Sequence, residues 1–575
     1  MKSRTFFSAI AAVAALLFVI GIAGFWGLTA NSPRSLLTEG GQSVPTAAQF
    51  VPRQSPLMVS LLARPDRFWS LRQVLAAPGQ RFQAREEWQS LKDSFERWLG
   101  WNYDTDLQPW LGDELTLAVT QADIDHDSAN GQQSGYLAVL SCRDGQQARE
   151  AIHLLWQKRA ISGKTLVFET LSGISLIYDQ VPLTSALDLP GAKATNGIST
   201  LASAVIADRF VLLANHPQVL RQAINTFQAP DISLAKEATY REAIRHLPPR
   251  RIGWVYGNLP TLLPWLGLAP ARTTPPVETD GYRANHVFAS FKAAETGLLV
   301  DTAIAATPGA AFPLRTQISS SSPSLPQVLT FLPQETLAAV AGQHLSAALA
   351  ETATNIGAYD VVGRSLTAFT QALALPGIAT APELWQNVEG EYALGLVSAQ
   401  VPTWLLATQV VDTPPLKPWD DLVQKQGLTV SHVTLAEQDV TVWAKLSIES
   451  ENSTGVARLS TQVVGVHTTL RGYEVFATSL AALQQAMQIT NAASLVTQPV
   501  FADLAEATGA SDNAVVYFDW PGLKPLLLAR FPLLKALEQG GQPLTSHLGP
   551  FFATGFEGSP SLQQGQLAVR LIGNS

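Results

Sequence analysis

The sequence predicts an α+β protein in which an N-terminal transmembrane helix precedes two duplicated halves, each an antiparallel sheet with interspersed helices. Three observations lead there. Residues 6–27 form an uncharged apolar run, residues 50–305 and 331–573 share an ordered set of weak matches, and short apolar segments recur at hairpin spacing within each half.

No charged residue falls between positions 5 and 30, and the run FFSAIAAVAALLFVIGIAGFWG at 6–27 is long enough to cross a bilayer, which takes about 20 helical residues. Lys2 and Arg4 precede it and Arg34 is the next charge, so the positive-inside rule keeps the N-terminus cytoplasmic and exports the rest. The alternative is a cleaved signal peptide, whose apolar core is about 7–15 residues long and ends in a small-x-small site. Leu28-Thr29-Ala30 is a poor match to that site. The chain then divides into an anchor (1–30), a tether rich in Ser, Thr, Gly, Pro and Gln (31–49), a first α+β repeat (50–305), a Ser/Pro-rich linker (306–330) containing Ser319–Ser322 and Pro323, and a second α+β repeat (331–575). The linker composition cannot pack a core.

The duplication rests on collinearity. Trp254-Val255-Tyr256 with Pro260, Leu262 and Pro264 matches Val515-Val516-Tyr517 with Pro521, Leu523 and Pro525, and Leu234 and Tyr240 match Leu495 and Phe501 at the same offset of 261. Phe210–Ala214 lies over Tyr473–Ala477, Gly112-Asp113-Glu114 over Gly390-Glu391, Phe50-Val51-Pro52 over Phe331-Leu332-Pro333, and Ala289 over Ala553. Chance matches have no reason to keep a common order.

Within the first half, strands are predicted at 115–119, 136–141, 166–169, 174–178, 204–207 and 210–214, where Val, Leu, Ile and aromatics cluster between turns. Asp208-Arg209 and Arg471-Gly472 are the expected tight turns. Helices are predicted at 147–158, where Ala148, Ile152 and Leu155 share a face, and at 217–224 after a capping Asn215 or His216. A third, at 86–99, carries a core stripe of Trp88, Leu91, Phe95 and Trp98.

Composition narrows function more by exclusion. With 38 Lys+Arg against 46 Asp+Glu, a net charge of −8 and only 15% charged residues, the chain lacks the basic runs that nucleic-acid binding needs. A single cysteine, Cys142, excludes an intrachain disulfide, a thiolate zinc finger and an iron–sulfur cluster. The acidic loop Asp123-x-Asp125-x-Asp127-x2-Asn130-Gly131 invites calcium, but an EF-hand needs Gly sixth and Glu twelfth, where Ser128 and Ser134 stand. It reads as a solvated hairpin tip. Nine dispersed histidines give no paired zinc ligands, no nucleophile elbow occurs, and Glu86-Glu87 and Asp420-Asp421 read as solvated helix surface. No catalytic, cofactor-binding or metal-binding residue is assigned, and neither enzyme activity nor a cofactor is expected.

One segment is distinctive: LGWNYDTDLQPWLGDE at 99–114, followed by an apolar strand. Its residues suit a turn, with Asp104 and Asp106 in it, Pro109 stiffening it, Trp110 anchoring it and Gly112 bending into the strand. With the Phe50-Val51-Pro52 opening and the apolar N-terminus, it resembles an uncharacterised cyanobacterial family of exported, single-span proteins that carry a domain of unknown function. The resemblance implies a membrane-associated protein of the periplasm or thylakoid lumen and supplies no catalytic residues. The expected function is a membrane-anchored, extracytoplasmic, non-catalytic module that binds or scaffolds a protein partner. The alternative is a carrier for a lipid, pigment or other apolar ligand, motivated by low charge and by 23 Phe and 14 Trp.

Overall fold

Short segments with alternating burial assemble into one antiparallel sheet of 21 strands in the computed structural model. Apart from isolated positions and pairs, the structure describes residues 35–67, 101–126, 132–180, 200–266, 284–312, 325–345, 388–450, 457–509, 514–530 and 548–572. The strands of the first half are β1 (Leu57–Leu61), β2 (Leu111–Gln121), β3 (Gly135–Cys142), β4 (Leu166–Leu171), β5 (Ile174–Asp179), β6 (Ala202–Ile206), β7 (Phe210–Ala214), β8 (Gly253–Asn258), β9 (Ala284–Ala294) and β10 (Gly297–Ala306). Those of the second are β11 (Thr336–Gln343), β12 (Glu391–Val397), β13 (Thr403–Gln409), β14 (Thr429–Leu435), β15 (Gln438–Ser450), β16 (Ala457–Leu470), β17 (Tyr473–Ala477), β18 (Val515–Phe518), β19 (Leu548–Thr554), β20 (Glu557–Gly558) and β21 (Leu562–Leu571).

From one outer edge, hydrogen-bonded neighbours run β4-β5-β6-β7-β3-β2-β1-β8-β9-β10. From the other they run β14-β15-β16-β17-β13-β12-β11-β18-β19-β21, the same succession. The short β20 continues β19 alongside β21.

Both faces of the sheet are covered, as the burial of every residue in β7 requires. Phe210, Leu212 and Ala214 face one layer, where α2 (Pro217–Gln228) and α3 (Ala238–His246) contribute Val219, Leu220, Ala223, Tyr240 and Ala243. Val211 and Leu213 face the other, under α1 (Gly145–Ile161), with Ala148, Ile152, Leu155 and Trp156. Beyond them in the chain, α4 (Leu259–Trp265) follows β8. The second half repeats this with α5 (Lys417–Lys425) on one face and α6 (Leu480–Gln488) and α7 (Pro499–Ala507) on the other, then α8 (Trp520–Arg530) after β18. The predicted helix at 86–99 lies largely outside the described residues. Of its stripe, Trp88 packs edge-on against Tyr103 at 5.1 Å.

The halves meet strand to strand. β10 and β21 pair antiparallel from Gly297↔Arg570 to Ala305↔Leu562, centred on Asp301↔Gln566. Gln566 Nε2 donates to Asp301 Oδ1 at 2.9 Å, and Lys292 Nζ lies 2.5 Å from Asp301 Oδ2. β21 also feeds both first-half cores, through Leu562 on one face and Val569 and Leu571 on the other.

That continuity corrects the predicted fold class. The described residues form one large sheet shared by both halves rather than two separate sheets. Among the described residues no helix is long and apolar enough to cross a membrane, so the structure gives the N-terminal transmembrane helix no support; the run at 6–27 lies outside those residues. The tether also shortens, because Thr46–Gln49 is a 3-10 helix with Ala47 and Ala48 fully buried. Likewise Gln327–Phe331 is a 3-10 helix with Val328 and Leu329 in the core, which trims the linker. The first hairpin turn is shifted by one residue: Ala207 and Asp208, at φ of 51° and 55°, occupy its centre, whereas Arg471 and Gly472 fall as predicted.

Candidate functional site

A cleft of about 900 Å³ opens at one end of the first half, between the loop after the first 3-10 helix, the end of β2 and one side of α2. Each wall has a local cause. The loop is clipped down by a bridge between Pro52 and Ser233, by Arg53 N donating to Ile232 O (3.0 Å) and by Tyr256 Oη donating to Arg53 O (3.1 Å). α2 begins where Pro217 presets the helical φ and His216 Nδ1 accepts from Gln218 N at 3.2 Å. The β2 end turns through Asp123, whose Oδ1 accepts from Gln133 N at 3.0 Å, to His126 at φ 57°.

Five amide side chains, Gln54, Gln121, Gln218, Gln222 and Asn225, stand among its lining residues, the rest of which are largely apolar in surface. Its charged groups are mostly committed. Arg221 makes a fork to Glu169 (Nε–Oε1 2.9 Å, Nη2–Oε2 2.7 Å) and also donates to Tyr178 Oη at 3.2 Å. The Arg221 hydrogen bonds hold Glu169 below the usual carboxylate range. Burial, then the Arg221 charge, lowers the His216 pKa. Asp123, the first residue of the acidic loop, serves a turn, while Asp127, Asn130 and Gly131 lie outside the described residues.

The second half differs at the corresponding place. Its Pro333–Ser494 bridge repeats Pro52–Ser233, but Gln334 stands where the first half has Arg53, and Gln485 donates to Glu335 Oε2 across the gap at 3.1 Å. Gln334 Nε2 is itself tied to Ala492 O at 3.1 Å.

The distinctive 99–114 segment is architectural. Asn102 Oδ1 accepts from Asp104 N and Thr105 N to start a single π turn, Tyr103–Leu107. Trp110 Nε1 donates to Asp106 O (2.6 Å), and Arg143 Nε donates to Pro109 O (2.9 Å). Gly112 serves a close approach rather than a bend, since a Cβ there would lie 2.6 Å from Ser141 Oγ. The motif's final residue, Glu114, is 1% exposed and accepts from Thr46 N (2.8 Å), Ala47 N (2.9 Å) and Thr116 Oγ1 (3.1 Å). Burial raises its pKa despite these bonds. Cys142 is half-buried, and burial pushes its thiol up to about 12, so it is inert packing.

A second polar cluster escaped the sequence reading. His467 on β16 donates from Nδ1 to Glu474 Oε1 (2.9 Å) and from Nε2 to Asp420 Oδ1 (3.0 Å), while Trp443 Nε1 donates to the same Asp420 oxygen at 2.6 Å. Asp420 is therefore not the solvated surface residue its helix position suggests. Burial opposes protonation of His467, but the two carboxylates overcome it and raise its pKa to about 9. The cluster fastens α5 to the sheet; in the first half, Trp156 Nε1 donating to Ser203 Oγ (2.7 Å) and an Arg159–Asp179 ion pair fasten α1.

Architecture and cleft together define an α+β protein built on one continuous antiparallel sheet, helix-covered on both faces, with a recess beside α2 in the first half. The chain matches, over residues 9–571, the family model described as "Protein of unknown function (DUF3352)", and it belongs to that family. No curated protein and no solved structure matches it.

Proposed function

We propose that the protein is a non-catalytic binding module that holds an extended segment of a protein partner in the first-half cleft. The observation that carries this reading is an open cleft with five amide side chains among its walls, whereas at the corresponding place in the second half Gln485 bonds Glu335. Side-chain amides offer a donor and an acceptor each and so match peptide main chain. Commitment of Arg221 to Glu169 and of Asp123 to a turn favours binding over acid–base chemistry. Lys2 and Arg4 ahead of the 6–27 apolar run, with the resemblance to an exported cyanobacterial family, support a location outside the cytoplasm, in periplasm or thylakoid lumen. The test places a photo-crosslinking residue at Gln218 on the cleft wall, or at the exposed Gln488 in the second half, in cells. A partner captured from Gln218 alone, and lost when Thr226→Trp fills the cleft, is expected. Equal capture from both positions, or capture that survives Thr226→Trp in a folded chain, would refute the reading.

A further inference from the structure

Beside α2 the two halves can be laid over each other residue by residue. β7 and β17 stand at an offset of 263, as do His216 and Ser479, the caps that open α2 and α6. The same offset puts the buried Leu220 and Ala223 over Leu483 and Ala486, and Gln222 over Gln485. Across the gap, the Pro52–Ser233 and Pro333–Ser494 bridges fix a second correspondence, Arg53-Gln54 with Gln334-Glu335.

In the second half this arrangement holds a carboxylate, since Gln485 Nε2 donates to Glu335 Oε2 at 3.1 Å. The first half keeps the amide and lacks the carboxylate, because Gln54 stands in place of Glu335. Arg53 in place of Gln334 adds a cation, so the pair carries +1 (Arg53) where its counterpart carries −1 (Glu335). Arg53, Gln54 and Gln222 all line the cleft. Among the described residues none of the three side chains makes a hydrogen bond or an ion pair. Gln222 Oε1 is buried, which leaves Nε2, a donor, as the end of the amide that a ligand can reach. The other lining arginine, Arg221, is committed to Glu169, and Asp123 Oδ1 to Gln133 N.

We propose that Arg53, Gln54 and Gln222 recognise a carboxylate of the bound segment, an Asp or Glu side chain or the C-terminal group, in the place that Glu335 takes in the second half. The inference rests on the cleft reading above. A guanidinium pairs with a carboxylate through charge-assisted hydrogen bonds, roughly twice as strong as neutral ones. Because Arg53 is exposed, such a contact governs which segment is chosen more than how tightly it is held.

The probe is a mixture of random synthetic peptides made in two forms, with a free or an amidated C-terminus. It is offered to the full chain carrying a photo-reactive residue at Gln218, and crosslinked peptides are sequenced by mass spectrometry. Enrichment of Asp or Glu at one position in both forms identifies a side-chain carboxylate, and enrichment of the free-acid form alone a C-terminal one; either supports the proposal. Arg53→Gln combined with Gln54→Glu writes the second-half pair into the first and should abolish the enrichment. A selected peptide should bind Arg53→Gln several-fold more weakly, with Arg53→Lys recovering part of the loss. Both residues are exposed, so these variants keep the fold. Peptides crosslinked at Gln218 with no carboxylate preference, or with one that the double exchange leaves unchanged, overturn this inference and leave the cleft reading standing. Recovery of no peptide at Gln218 overturns both.

Discussion

Glu114 and Glu391 occupy the same place in the two strand successions and do the same work: each carboxylate faces the N-terminal end of a buried 3-10 helix. Glu114 takes two main-chain N–H groups, whereas Glu391 Oε2 takes Val328 N and Tyr473 Oη, both at 3.3 Å. Neither bond is visible in the sequence, because the donors lie tens of residues away (67 for the Ala47 bond) and a Glu before an apolar strand looks solvated. His467 was equally hidden for the same reason, its partner Asp420 being 47 residues distant. Its chemistry gives a signed prediction. The folded chain stabilises the imidazolium, with a pKa of about 9 against 6.5 for the free side chain. The contribution is thus complete below pH 6.5 and lost as pH rises through about 9, an effect of about 3 kcal/mol. Urea midpoints measured from pH 6 to 10 should fall across that window, and the fall should vanish in His467→Gln; an unchanged slope in the variant would remove His467 as its source.

At the scale of elements, local signals were readable where they act locally. The Ala148, Ile152, Leu155 stripe located α1, and the structure extends it to Gly145–Ile161, with Asp144 Oδ1 accepting from Gln146 N and Gln147 N, both at 3.0 Å. Asp144→Ala should therefore cost about 1 kcal/mol in chemical denaturation, as loss of a capping carboxylate does; no change would mean that solvent satisfies those N–H groups equally well. The one-residue error at the first hairpin turn has a physical origin. Asp and Gly chemistry marks turns, but here Ala207 takes positive φ beside Asp208, and an alanine gives no sequence signal for that conformation.

For the molecule as a whole, the seam decides cooperativity. Pairing of β10 with β21 makes two halves share one sheet, and side chains from β21 enter first-half cores. Gly297 sits at the end of that pairing, where a Cβ would lie 2.0 Å from Val569 O. Gly297→Val should pry the strands apart and split one calorimetric unfolding transition into two. A single transition in the variant, at lower temperature, would show that the coupling runs elsewhere.

The sequence by itself determined the antiparallel α+β character, six strands of the first half and the order of its internal matches, since these follow from alternation, turn chemistry and order along the chain. Only the tertiary structure decided that the halves fuse into one sheet, that a recess opens beside α2, and that Arg251 is buried under α3. Those outcomes depend on contacts between residues far apart in the chain, such as Asp301 with Gln566 and Gln485 with Glu335, and no local pattern encodes which distant partner will arrive.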